Sequence, residues 1–79
     1  MMVLDLRGLK CPLPALLTRR ALSRAKAGQE IAVVSDDPLA AVDVPHMCHE
    51  EGHDVIAVER LDSAFRLVLR RRTKPEAEV

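Results

Sequence analysis

The chain has 79 residues, 48% of them apolar, with 12 basic and 12 acidic side chains that cancel, enough for one small domain and too little for a second. A balanced charge excludes a global field that would attract nucleic acid or a membrane surface, and one aromatic residue, Phe65, is no stacking platform for bases. No apolar run nears the roughly 20 residues of a membrane span, the chain opens with no basic-then-apolar leader, and its two cysteines are too few for a disulfide scaffold, so the expectation is a soluble cytoplasmic protein with reduced thiols and neither membrane nor direct nucleic-acid partners.

Val3 to Arg7 alternates in polarity as a half-buried strand does, and Gly8 breaks it. Pro14, Leu17, Thr18, Ala21, Leu22 and Ala25 then form one helical stripe, predicting a first helix from Pro12 to Ala27 with Gly28 as its left-handed cap. Ile31 to Val34 is a short β-branched run suited to a strand covered on both sides. Asp36-Asp37-Pro38 resembles an N-cap followed by proline, opening a second helical region that reaches Glu51. Pro45 predicts a break there: a short turn over Leu39 to Val42, then a restart capped by Asp43 that puts Val44, Met47, Cys48 and Glu51 on one face. Beyond Gly52, Val55 to Arg60 and Phe65 to Arg70 alternate as strands joined by a four-residue hairpin loop, Leu61 to Ala64. Phe65, Leu67 and Leu69 should face inward with Arg66 and Arg70 outward, leaving one sheet face solvated.

The order βαβαββ therefore predicts an α+β fold, a two-layer sandwich of a four-stranded mixed sheet with both helices on one face. The domain is assigned to residues 1–71, and the charged, aperiodic stretch from Arg71 to Val79, taken as a tail over 72–79, is expected to be mobile. Charge is segregated along it. Six bases against Asp5 occupy Met1 to Lys26, whereas Ala27 to Glu59 holds eight acids and no Lys or Arg. Such asymmetry can steer a protein partner, although ordinary solvated faces cluster in the same way.

Cys11 is the residue expected to carry chemistry, the plainer reading being a small apolar filler before the helix. At the predicted N-cap of the first helix, the macrodipole, the free N–H groups of Leu13 and Ala15 and the charge of Lys10 would favour a thiolate. Cysteine caps helices less well than Ser, Asp or Asn, which points to sulfur chemistry rather than capping.

The run Asp5-Leu6-Arg7-Gly8-Leu9-Lys10-Cys11-Pro12-Leu13-Pro14 resembles the N-terminal signature of the TusA/SirA-like sulfur carriers, in which Gly-Leu-x-Cys-Pro-x-Pro follows the first strand. Gly28, Asp36-Asp37-Pro38, Asp43-Val44-Pro45, Cys48 and Gly52-His53 also stand where that family has similar residues, so the resemblance spans Val3 to Arg71. It implies the same βαβαββ sandwich. It further implies that Cys11 accepts sulfane sulfur as a persulfide from a cysteine desulfurase or rhodanese and relays it to a downstream acceptor protein. The end product would be a thiolated tRNA, a sulfur-containing cofactor or an intermediate of sulfur oxidation. Gly8, Pro12 and Pro14 would shape the motif, with no cofactor, no metal and no need of a pocket or of more than a monomer. Leu13 departs from the family pattern, since the position between the prolines is often acidic or polar.

Other features have plainer readings. Leu13, Leu16, Arg20 and Arg24 form a second helical stripe beside Cys11, either a docking patch or scattered surface side chains. Cys48 shares a face with Val44 and Met47 and is expected in the core, a resolving thiol for Cys11 being the sharper alternative. His49-Glu50-Glu51-Gly52-His53 spells a zincin pattern, but Gly52 should end the helix before His53. Arg66, Arg70, Arg71, Arg72 and Lys74 suggest phosphate contact, or simply a solvated terminus. The alternative function is a redox-sensing or regulatory interaction module of the same fold, in which Cys11 forms a sulfenic acid or disulfide and passes no sulfur on.

Overall fold

The computed structural model describes residues 2–72. Its order is β1 Met2–Asp5, α1 Leu13–Arg24, β2 Glu30–Ser35, α2 Ala40–Glu51, β3 Asp54–Arg60 and β4 Phe65–Arg70. The sheet runs β1-β2-β4-β3, with β1 parallel to β2 and the other two pairings antiparallel. The α+β sandwich expected from the periodicity is what forms.

The inner face of the sheet and the helices share one core. Ile31 and Val33 of β2 and Leu67 and Leu69 of β4 meet Leu22 of α1 and Ala40, Val44 and Cys48 of α2, with Phe65 packed at the margin. On the outer face of β4, Arg66 pairs with Glu59 at 3.0 Å and Arg70 with Asp54 at 3.1 Å, but Val68 between them and its β2 partner Ala32 are buried, so this face is solvated only in part. The hairpin closes over Leu61 to Ala64, where the Leu61 N–H donates to the Ala64 carbonyl at 2.8 Å.

α1 ends three residues before its expected terminus. Ala25 is extended, and Gly28, with φ +84°, serves the turn into β2 rather than a helix cap. The cause lies far along the chain. Arg71 Nη1 donates to the carbonyls of Leu22, Ser23 and Ala25 at 2.7, 2.8 and 3.1 Å, taking up the helix's free acceptors and placing a cation at the negative end of its dipole. The same residue exchanges backbone hydrogen bonds with Gly28 and Gln29. Arg71 is thus part of the fold and not of a tail, and the remainder of the expected tail, Arg72 apart, lies outside the described residues. Within the α1 stripe Pro14, Thr18 and Leu22 are buried, while Leu17 is exposed because its position lies at the flank of that i, i+4, i+8 row.

α2 also departs from expectation, running unbroken through Pro45 with no restart at Asp43. Pro45 forfeits one helical hydrogen bond and crowds the preceding turn, a cost of about 3 kcal/mol. Ala40, Val44 and Cys48 are buried by the unbroken helix, and full burial of one large aliphatic side chain alone contributes about 1.5–3 kcal/mol, so a continuous buried face outweighs the local cost. The helix begins at Ala40, since the Asp37 carboxylate caps a preceding turn at Leu39. Gly52 ends it in the left-handed conformation, φ +82°.

Replacing Arg71 by Ala leaves the carbonyls of Leu22, Ser23 and the capping Ala25 without their cation. The expected loss is about 1–2 kcal/mol of unfolding free energy, read by urea denaturation, with the sheet core unchanged.

Candidate functional site

β1 and β2 are parallel neighbours, so their carboxyl ends point the same way and the two strand-to-helix loops that follow lie side by side. The loops are stitched by side chains. Asp36 Oδ1 accepts the Gly8 N–H at 2.9 Å, and Asp37 Oδ2 accepts the Cys11 N–H at 2.7 Å. Asp37 is itself fixed, its own N–H donating to Ser35 Oγ and its Oδ1 accepting from the Leu39 N–H. Gly8 turns the chain at φ +88°, a conformation that disfavours any side chain.

Cys11 lies one residue before the α1 cap, Pro12, with Pro14 inside the first turn. Its thiol is exposed and donates to Asp43 Oδ2, on the first turn of α2, at 2.8 Å. The expectation of a depressed thiol pKa is overturned here. The hydrogen bond to Asp43 comes first among the causes that raise it, followed by partial desolvation and the negative charges of Asp43 and Asp37. The Leu13 N–H is also unavailable to the sulfur, because it donates to the Lys10 carbonyl at 2.8 Å. Lys10 acts instead on Asp37, whose pKa is lowered first by the amides of Leu39 and Cys11 and then by that charge. A carboxylate depressed in the folded state stabilises the fold above its ordinary pKa, and this contribution disappears as pH falls through the folded value. The stitch at Cys11 therefore holds throughout the neutral range.

Leu13 and Leu16 are 45% and 49% exposed, and Arg20 and Arg24 continue the same outer stripe. Two further apolar side chains, Leu39 and Val42, are 55% and 65% exposed and flank the aspartates that touch Cys11. Reading the sequence missed these two, and it treated Asp37 and Asp43 as helix caps only. The acidic signal was present in Asp36-Asp37-Pro38 and Asp43, but nothing local aims a helical carboxylate at a thiol 32 residues away.

Cys48 is fully buried, and desolvation pushes its thiol up to about 11. The zincin pattern does not assemble on one helix, since α2 stops at Glu51 and His53 follows the Gly52 turn. Among the described residues no cluster of His, Cys, Asp and Glu suits a metal ion, and no helix is long and apolar enough to cross a membrane. The basic cluster is mostly spoken for. Arg66 and Arg70 pair with Glu59 and Asp54, Arg72 also pairs with Asp54 and Arg71 caps α1, while Lys74 lies outside the described residues.

Iodoacetamide treatment of the native protein, continued long enough for an exposed but protonated thiol to react, should label Cys11 and spare Cys48, with both labelled in urea; peptide mass analysis reads the outcome. Native labelling of Cys48 would contradict its burial.

A search of solved structures finds a similar fold in a SirA-like protein from Desulfitobacterium hafniense. The TM-score is 0.79 at 20% identity, covering 92% of this chain and 100% of that one. The family model described as Sulfurtransferase TusA matches residues 2–71, nearly everything the structure describes. With its Cys-Pro-Leu-Pro turn between the first strand and helix of a βαβαββ sandwich, the chain belongs to the TusA sulfurtransferase family.

Proposed function

We propose that this protein is a sulfur carrier in which Cys11 takes up sulfane sulfur from a donor protein and hands it to an acceptor. The observation that carries the reading is the position of Cys11, an exposed thiol on a rigidly stitched loop directly before a helix. The Cys11 thiolate attacks the outer sulfur of a donor persulfide. The donor's S–S bond breaks, its electron pair stays on the departing donor thiolate, and a new S–S bond forms on Cys11. The proton lost by Cys11 is balanced by one taken up by the donor thiolate, and nothing is oxidised or reduced overall. An acceptor nucleophile repeats the exchange and returns Cys11 to a thiol. A cysteine desulfurase or a rhodanese has the persulfide this step requires.

Docking falls to the surface around Cys11. Leu13 and Leu16 on α1 and Leu39 and Val42 at the start of α2 supply exposed apolar area, with Arg20 on the α1 stripe and the aspartates of the second loop adding charge of both signs. The redox-sensing alternative has less support, because Cys48 is fully buried in the core and offers Cys11 no accessible resolving thiol.

Incubation with a cysteine desulfurase, its cofactor and cysteine, followed by intact mass spectrometry, should add about 32 Da that reductant removes, the mass of one persulfide sulfur. The gain should survive Cys48→Ser and vanish in Cys11→Ser. No gain with desulfurase, rhodanese or inorganic polysulfide would sink the carrier reading.

Arg20→Glu should slow loading from the protein donor several-fold while leaving loading from polysulfide unchanged, as expected of a charge that guides encounter. Equal rates with every donor would remove the α1 stripe from the docking surface.

A further inference from the structure

We propose that Asp43 is a positioning residue for Cys11, its carboxylate aiming Sγ and holding the resting sulfur as a neutral thiol. This goes one step beyond the carrier reading and rests on it only for biological consequence. The geometry is specific. Cys11 is held at two points from the second loop and α2, its N–H by Asp37 Oδ2 at 2.7 Å and its Sγ by Asp43 Oδ2 at 2.8 Å. The side chain therefore keeps one direction although it stands in solvent.

The direction of the effect follows from the charges that face the sulfur. Asp43 approaches from α2 and Asp37 from the β2–α2 loop; Asp36 is turned to the Gly8 amide, and the charge of Lys10 is felt by Asp37. Loss of the thiol proton would set two anions in contact and abolish a hydrogen bond, so the proton stays on sulfur. An exposed thiol so held is slow toward stray oxidants and electrophiles. It becomes nucleophilic when the Asp43 carboxylate is neutralised or drawn to another hydrogen-bond donor. A merely structural Asp43, serving the positive end of α2, would leave the thiol's titration where it is.

The test is the pH profile of alkylation by iodoacetamide. Cys11 loses its proton to the medium, the thiolate attacks the methylene carbon, a C–S bond forms and iodide leaves with the C–I electron pair. In Asp43→Asn the midpoint should fall by about half a unit or more, raising the rate at pH 7 about threefold or more. Asp43→Glu should restore a profile near that of the parent. Circular dichroism establishes the fold, and Asp43→Ser serves as the second variant if the Asn form does not fold. A folded Asn or Ser variant whose midpoint is unmoved or raised would overturn the proposal. Failure of wild-type protein to gain sulfur would instead sink the carrier reading, with the alkylation profile still deciding the role of Asp43.

Discussion

Three carboxylates hold the two strand-to-helix loops together. Asp36 and Asp37 from the second loop and Asp43 from the first turn of α2 reach the first loop, accepting from the Gly8 amide, the Cys11 amide and the Cys11 thiol respectively. They can do so only because β1 and β2 run parallel and adjacent, which sets both loops at one end of the sheet. Without that pairing Cys11 would sit on a free loop, since the prolines on its carboxyl side contribute no N–H groups of their own.

The rest of the fold serves this arrangement. β4 lies between β2 and β3 and supplies Leu67 and Leu69 to the core on which both helices rest. Arg71, just past β4, closes the far end of α1 and so fixes the helix whose near end follows Cys11. α2 tolerates Pro45 because an unbroken helix buries Ala40, Val44 and Cys48 while keeping Asp43 against the thiol. Packing, helix capping and the environment of one sulfur atom are thus coupled through few contacts.

The two cysteines show how environment divides one side chain between roles. Cys48 is sealed among aliphatic groups, where a charge has no solvation, and its thiol is raised for that reason. Cys11 is open to solvent yet also raised, for a different reason: a carboxylate stands against it.

Much of the architecture was legible along the chain. The β-branched run of β2 and the stripe Pro14, Thr18 and Leu22 report burial directly, and the period of two places Leu67 and Leu69 of β4 in the core, although Val68 between them is buried as well. The Cys-Pro-Leu-Pro turn marked Cys11 for the same local reason, as a thiol set just before a helix. Tertiary structure decided what local pattern cannot encode. The early end of α1 depends on Arg71, the survival of α2 through Pro45 depends on the sheet beneath it, and the raised Cys11 thiol depends on Asp43, 32 residues away. Sequence period specifies which face of an element is buried, whereas the partner that face or side chain meets is set by strand order and the packing of one element on another.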